Sequence, residues 1–274
     1  MTVGGSTGAG RRAAMALLLL AGLVLPARAE TARELLDKVK ALNTTTRKWT
    51  DRTQKLRLEI VDRRGSVRAR DLEIYMKKYP DDANRSIVFF ESPPEVKGTG
   101  FLQWANAHTA DEQWLYLPEL KRVRQISGGS RRESFVGTDF SYEDLAIIGQ
   151  IADWSDADAH AVLLRDEPID GSPAAVIEFT PVGKDVAYSK IRVWLRRSDL
   201  VIVKYEFVDQ KGRVAKVLTV GGIKPVGSVP TAFHFDMQNV LAGSHTSVEF
   251  LEVKYDTGLS DDAFTQRTLE RGGI

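Results

Sequence analysis

The sequence predicts a mainly β fold, an antiparallel sheet of many strands curled into a barrel, a half-barrel or a sandwich, with few helices. Three observations carry this. From Gln54 onward apolar and polar residues alternate with a period of two, in short runs. Turn residues separate many of the runs, as at Arg64-Gly65, Asp170-Gly171, Lys211-Gly212 and Ala242-Gly243. Only two stretches keep helical spacing.

The first of those stretches covers residues 31–47. Leu35, Leu36, Val39 and Leu42 fall on one helical face, Thr31 can cap the start, and Glu34 stands three residues on, as in a capping box. A hairpin follows: Leu56, Leu58 and Ile60 alternate with charged residues, and after the turn so do Leu72, Ile74 and Met76. Further strands are predicted at 85–91, 100–106, 112–117, 122–126, 160–165, 174–181, 187–197, 201–209, 213–225, 232–241 and 246–255. Residues 114–117, WLYL, are apolar on both sides, so both sides require a cover. In 187–197, by contrast, Ile191, Val193 and Leu195 point one way and Arg192, Trp194 and Arg196 the other. The second helical stretch, with Tyr142, Leu145, Ala146 and Gly149, and the helix at Thr31 are the available covers. Residues 127–134, SGGSRRES, form the most loop-like interval.

Residues 1–29 read as a cleaved signal peptide: Arg11 and Arg12 precede an apolar run from Ala13 to Leu25, and Ala27-Arg28-Ala29 supplies small residues for cleavage. The run is too short to span a bilayer. Residues 30–274 are then expected as one exported, soluble β domain. The full chain has 38 basic and 37 acidic residues, a formal charge of +1. Without Arg11, Arg12 and Arg28 the balance is 35 against 37, or −2, which gives no reason to expect a nucleic-acid partner. The absence of cysteine excludes disulfides, thiolate metal sites, a cysteine nucleophile and N-terminal lipidation.

Motifs for catalysis are scarce. His108, His160, His234 and His245 stand far apart with no ligand spacing, so no metal or other cofactor is predicted. Neither a G-x-S-x-G elbow nor a phosphate loop occurs. Asp139, Glu143 and Asp144 cluster closely enough to suggest a glycan hydrolase, but Asp139 and Ser141 also suit a helix start, with Glu143 and Asp144 in its first turn. Arg122, Arg124, Arg131 and Arg132 form the densest basic group, either a solvated face or a rim that meets lipid head groups or an acidic partner. Leu56, Leu58, Ile60, Leu72, Ile74, Met76, Ile87, Phe89, Trp114, Tyr116, Phe233, Phe235 and Met237 recur on single strand faces. Such a set lines either a filled core or a cavity for an apolar ligand.

The segment WLYLPELKRVR, Trp114 to Arg124, followed by SFVGTDFSYEDL, Ser134 to Leu145, resembles the signature of the exported outer-membrane lipoprotein-sorting family, whose members are LolA-like. The pattern is Trp-x-Tyr-x-Pro with downstream basic residues, then Phe-x-Gly-(Ser/Thr)-Asp-Phe-(Ser/Thr)-x-x-Asp. Trp114, Tyr116, Pro118, Arg122, Phe135, Gly137, Thr138, Asp139, Phe140, Ser141 and Asp144 fill every fixed place. The resemblance implies an unclosed antiparallel β-barrel with helices across its open side and a hydrophobic cavity between. It also implies transport of lipid or acylated protein across the periplasm, a monomer with transient membrane contact, an inner-membrane transporter as a possible partner, and no catalytic residues. Phe135, Gly137, Asp139, Phe140, Tyr142 and Asp144 would form a glycine-hinged lid. The alternatives are a transporter subunit that holds no lipid and a glycan hydrolase using Asp139, Glu143 or Asp144.

Overall fold

The computed structural model describes residues 1–5, 30–80, 83–106, 109, 111–183 and 186–274. The signal-peptide reading and His108 lie outside the described residues. Residues Thr31–Ile274 pack as one unit.

Helix α1 spans Ala32–Thr44 and starts with the predicted capping box: the Glu34 amide donates to the Thr31 hydroxyl at 3.2 Å, and the Thr31 amide donates to the Glu34 carboxylate at 2.8 Å. It ends before the predicted residue 47, where Thr44 and Thr45 turn their hydroxyls back onto the Lys40 and Ala41 carbonyls.

Among the described residues, thirteen strands then form one fully antiparallel sheet. In chain order they are β1 (Asp51–Val61), β2 (Val67–Lys78), β3 (Asn84–Ser92), β4 (Gly100–Ala105), β5 (Glu112–Leu117), β6 (Arg122–Ile126), β7 (Ala159–Ile169), β8 (Ser172–Pro181), β9 (Tyr188–Arg196), β10 (Ile202–Asp209), β11 (Val214–Gly221), β14 (His234–Asn239) and β15 (Ser244–Tyr255). Between β11 and β14, β12 (Lys224–Val226) and β13 (Val229–Thr231) make a separate small hairpin. The predicted strand 213–225 therefore divides, at Gly222 with φ +60°.

In space the order runs β6-β5-β4-β3-β2-β1-β15-β14-β11-β10-β9-β8-β7. First and last strands do not meet, so the sheet stays open, in agreement with an unclosed barrel. The middle of the sheet is a long-range pairing of the chain's first and last strands: β1 pairs with β15 from Arg52 opposite Tyr255 to Val61 opposite His245.

The register fixes which residues share the inner face. Leu56, Leu58 and Ile60 lie beside Leu72, Arg70 and Arg68 on β2, and beside Phe250, Val248 and Thr246 on β15. Val88 and Phe90 extend the row on β3, then Phe101 on β4 and Leu115 on β5. On the other wing, Met237, Leu218, Tyr205, Val193 and Ile177 continue it. Leu56, Leu58, Leu72, Val248 and the apolar side chains of both wings form one buried cluster with Leu35, Leu36 and Val39 of α1.

The other cover is helix α2 (Tyr142–Gln150), preceded by the loop 134–141. Its N-cap is Ser141, as predicted, with a capping box to Asp144. The outer face of β3–β5 has a cover that the sequence reading did not foresee. The C-terminal segment, with helix α3 (Gln266–Arg271), lays Ala263, Phe264 and Leu269 on Ile87, Phe89, Leu102 and Trp114. Gly100 makes this possible, since a Cβ there would stand 2.6 Å from a Leu269 methyl.

Candidate functional site

The inner face and its lid are the candidate site. Of the thirteen apolar candidates, Leu56, Leu58, Leu72 and Met237 are buried in the inner cluster, and Ile60 is buried on the same face. Ile74 and Phe235 are half-buried and pack against that cluster. Met76 and Phe233 stand in the same rows at the end of the face: Met76 is opposite Arg52, and Phe233 accepts the Phe250 amide at 2.8 Å.

The remaining four require a correction. Ile87, Phe89, Trp114 and Tyr116 belong to the outer cluster under the C-terminal segment, not to the inner face. Strand β5 is indeed covered on both sides, with Leu115 and Leu117 inward and Trp114 and Tyr116 outward. Alternation alone does not state which parity faces inward, and β3 is buried on both faces, so the choice was open.

The loop 134–141 lies on the inner face through aromatic contacts. The Phe135 ring is 5.3 Å from Phe101, 5.8 Å from Phe90 and 5.6 Å from Tyr142, and Phe140 is also buried. A tight turn joins them, with Val136 at φ +47° and Gly137 at φ +74°. The second position suits glycine; the first is costly for a β-branched residue. From the sheet, the Arg70 guanidinium donates to the Val136 carbonyl and lies 5.8 Å from the Phe90 ring centroid. Burial holds the Arg70 pKa below its ordinary value. The sequence reading overlooked Arg70, whose place in β2 breaks the apolar run that would have flagged it.

Each lid acid is engaged in structure. The Asp139 carboxylate accepts from the Ser244 and Thr246 hydroxyls of β15, the latter at 2.7 Å. It therefore tethers the loop to the sheet, and the expectation that it caps α2 is replaced. Asp144 is fully buried and accepts from the Ser141 amide at 2.7 Å, the Tyr188 hydroxyl at 2.6 Å and the Lys216 ammonium at 2.5 Å. Burial, with the Asp144 charge beside it, pushes the Tyr188 pKa far up. Glu143 accepts the Ala187 amide at 2.9 Å, and burial raises its pKa. With their oxygens turned to these partners, the three acids do not present the open pair that glycoside hydrolysis uses.

The four arginines fall in two neighbouring elements. Arg122 and Arg124 project from edge strand β6, Arg124 pairing with Glu133 at 3.2 Å. Arg131 and Arg132 sit in a 3₁₀ turn, Gly128–Arg132, within electrostatic reach of Glu143. Two hollows of about 360 and 280 Å³ lie elsewhere, at the β14–β15 turn and between α1 and Trp154. The inner face is packed beside α1 and α2 and half-exposed towards Ile74, Phe235 and Phe250.

This large open antiparallel sheet with few helices is similar to several solved structures. A LolA superfamily protein from Nitrosomonas europaea superposes with a TM-score of 0.66 at 20% identity, over 88% of this chain and all of that one. A domain ascribed to outer membrane lipoprotein sorting, from Vibrio parahaemolyticus, gives 0.79 at 28% identity, covering 86% of this chain and 98% of its own. A DUF1329 family protein from Desulfovibrio piger gives 0.80 at 27%, covering 88% and 100%. A family model described as "-like: Uncharacterized protein" matches residues 82–271. No curated protein matches. The chain belongs to the family of that model, and its fold is LolA-like, similar to the outer membrane lipoprotein-sorting and DUF1329 structures.

Proposed function

We propose that the protein is an exported periplasmic carrier, without enzymatic activity, that holds the acyl chains of a lipid or lipidated protein against its inner face and moves them towards the outer membrane. The observation that carries this is the continuous apolar inner face, sealed by a loop whose attachment is largely two aromatic side chains, one arginine and one aspartate. Each CH₂ buried contributes about 0.8 kcal/mol, so one acyl chain binds such a face without polar chemistry. The β6 arginines are suited to brief contact with an anionic membrane surface. No described helix is long and apolar enough to cross a membrane. The carrier acts as a monomer and exchanges cargo with an inner-membrane transporter.

A second reading, a transporter subunit that holds no lipid, draws on the packed state of the inner face. Native mass spectrometry with lipid extraction, on protein purified from periplasm, separates the two. Co-purifying acyl species support the carrier, and protein that is empty after gentle purification favours the subunit. Phe235→Asp places a charge on the inner face at a half-buried position. It should abolish acyl binding while the protein stays folded, and retained binding would sink the assignment of this face.

A further inference from the structure

At the open end of the inner face, Arg52 occupies a position that packing alone does not explain. The register sets it between Met76 of β2 and Tyr255 of β15, in line with the inner residues of β1. Its guanidinium lies 5.1 Å from the centroid of the Trp49 ring, and Lys78 places its ammonium 4.1 Å from the same ring. Trp49 in turn packs on Tyr255 at 5.6 Å, and Tyr255 shares a 2.9 Å hydrogen bond with Thr231. The aromatic floor is therefore fixed.

What Arg52 lacks is an anion. Among the described residues no carboxylate forms an ion pair with it. One terminal nitrogen meets the Met76 sulfur at 3.5 Å, the guanidinium reaches the neutral Tyr255 hydroxyl, and the buried Nε–H has no acceptor. The nearby acids are committed: Asp51 accepts from Thr257, Gly258 and Leu259, and Asp256 from Thr50. Burial accordingly holds the Arg52 pKa below its ordinary value. A buried cation with an unanswered donor is expensive to retain without a counter-charge.

Apolar surface leads away from this cation. Along the same face come Met76 and Ile74, then Phe250 and Phe235, whose rings are 5.4 Å apart, all half-buried. From this juxtaposition we infer that Arg52, with Lys78 and Trp49, forms the head-group site for an anionic amphiphile, a carboxylate or phosphate whose acyl chain runs inward over Ile74, Phe250 and Phe235. A guanidinium pairs two parallel N–H donors with such an anion, and the aromatic floor holds it in orientation. The inference rests on the carrier reading and adds the charge and direction of the ligand.

The test uses delipidated protein and displacement of a fluorescent acyl probe by myristate, by its methyl ester, and by inorganic phosphate alone. Expected is myristate binding at least about tenfold tighter than the ester, about 1.4 kcal/mol, with phosphate displacing nothing. Arg52→Gln should erase that preference and leave ester binding unchanged, which also reports that the variant is folded; Arg52→Lys should keep part of it. Equal binding of acid and ester, or a preference untouched by Arg52→Gln, would overturn the head-group site and leave the carrier reading standing. Binding of neither amphiphile would overturn both. Displacement by phosphate as effective as by myristate would mark a free-anion site and overturn the amphiphile assignment.

Discussion

Asp144→Asn is the sharpest probe of how the lid helix is held. The carboxylate is fully buried and receives the Ser141 amide, the Tyr188 hydroxyl and the Lys216 ammonium, whose own side chain is 14% exposed. The amide substitute keeps the shape and one acceptor but leaves the lysine charged and unpaired in the interior. Breaking a buried pair from one side costs about 3–5 kcal/mol. For a folded unit of this size, 1 kcal/mol corresponds to roughly 2–4 °C in Tm, so a loss of about 4 kcal/mol lowers Tm by about 8–16 °C. Thermal and urea unfolding would measure it. A second substitution, Lys216→Met, removes the stranded charge, so the double variant should be more stable than the sum of the two singles predicts, with a coupling above about 1 kcal/mol. An Asp144→Asn variant within about 1 kcal/mol of the wild type, or a strictly additive cycle, would refute the claim that this ion pair pins α2 to the sheet.

Two further outcomes follow from the outer face. Gly100→Val puts a side chain where Leu269 already lies, so α3 should lift from the sheet at a cost of about 1–3 kcal/mol, with faster proteolysis of the C-terminal segment; Leu269→Ala in the same chain should restore part of the loss. Asp51 anchors the start of that segment through Thr257, Gly258 and Leu259. Burial works against its charge, but those hydrogen bonds outweigh it and lower its pKa below 3.8. A depressed carboxyl stabilises the fold above its unfolded-state pKa, and that stability is lost as pH falls through the folded-state value. The Tm advantage of the wild type over Asp51→Asn should therefore be level from about pH 7 to about pH 5 and shrink below about pH 4. An advantage independent of pH down to pH 2 would contradict it.

Local patterns predict the strands well because alternation is a local consequence of burying one face. Strands β5 and β6 fall on their predicted bounds, and the Thr31 and Ser141 capping boxes are legible for the same reason. What escapes the sequence is decided at a distance. Asp139 looks like a helix cap in its own neighbourhood, yet its partner Thr246 is 107 residues away. Helix α3, QRTLER, has one buried apolar residue, Leu269, and little periodicity to detect. The inward parity of β3 and β5 depends on that same helix, because it is the C-terminal cover that makes both their faces apolar. Arg52 and Arg70 resemble ordinary strand-surface cations until the register turns them inward.

The motif that marks the family divides into a part that can move and a part that cannot. A fourteen-carbon chain burying about thirteen CH₂ or CH₃ groups gains roughly 10 kcal/mol at about 0.8 each. Displacing Phe135 and Phe140 from the inner face costs about 1.5–3 kcal/mol apiece, releasing the Arg70 bond to Val136 about 1.5–3 more, and releasing Asp139 from Ser244 and Thr246 about 1.5–3 again. One chain therefore roughly balances the loop, and relaxation of the left-handed Val136 tips the exchange towards opening. Removing α2 as well would expose Tyr142, Ala146 and Ile147 and break the Asp144–Lys216 pair, which exceeds what the chain supplies. On the carrier reading, the loop 134–140 opens while α2 stays seated. Hydrogen exchange with and without myristate reads this directly: the Phe135 and Thr138 amides, bonded to the carbonyls of Phe140 and Phe135, should lose protection on binding, while those of residues 145–150 should keep theirs. Equal loss across both segments would mean that the cover lifts as one body, and that the Asp144 network is weaker than its geometry implies.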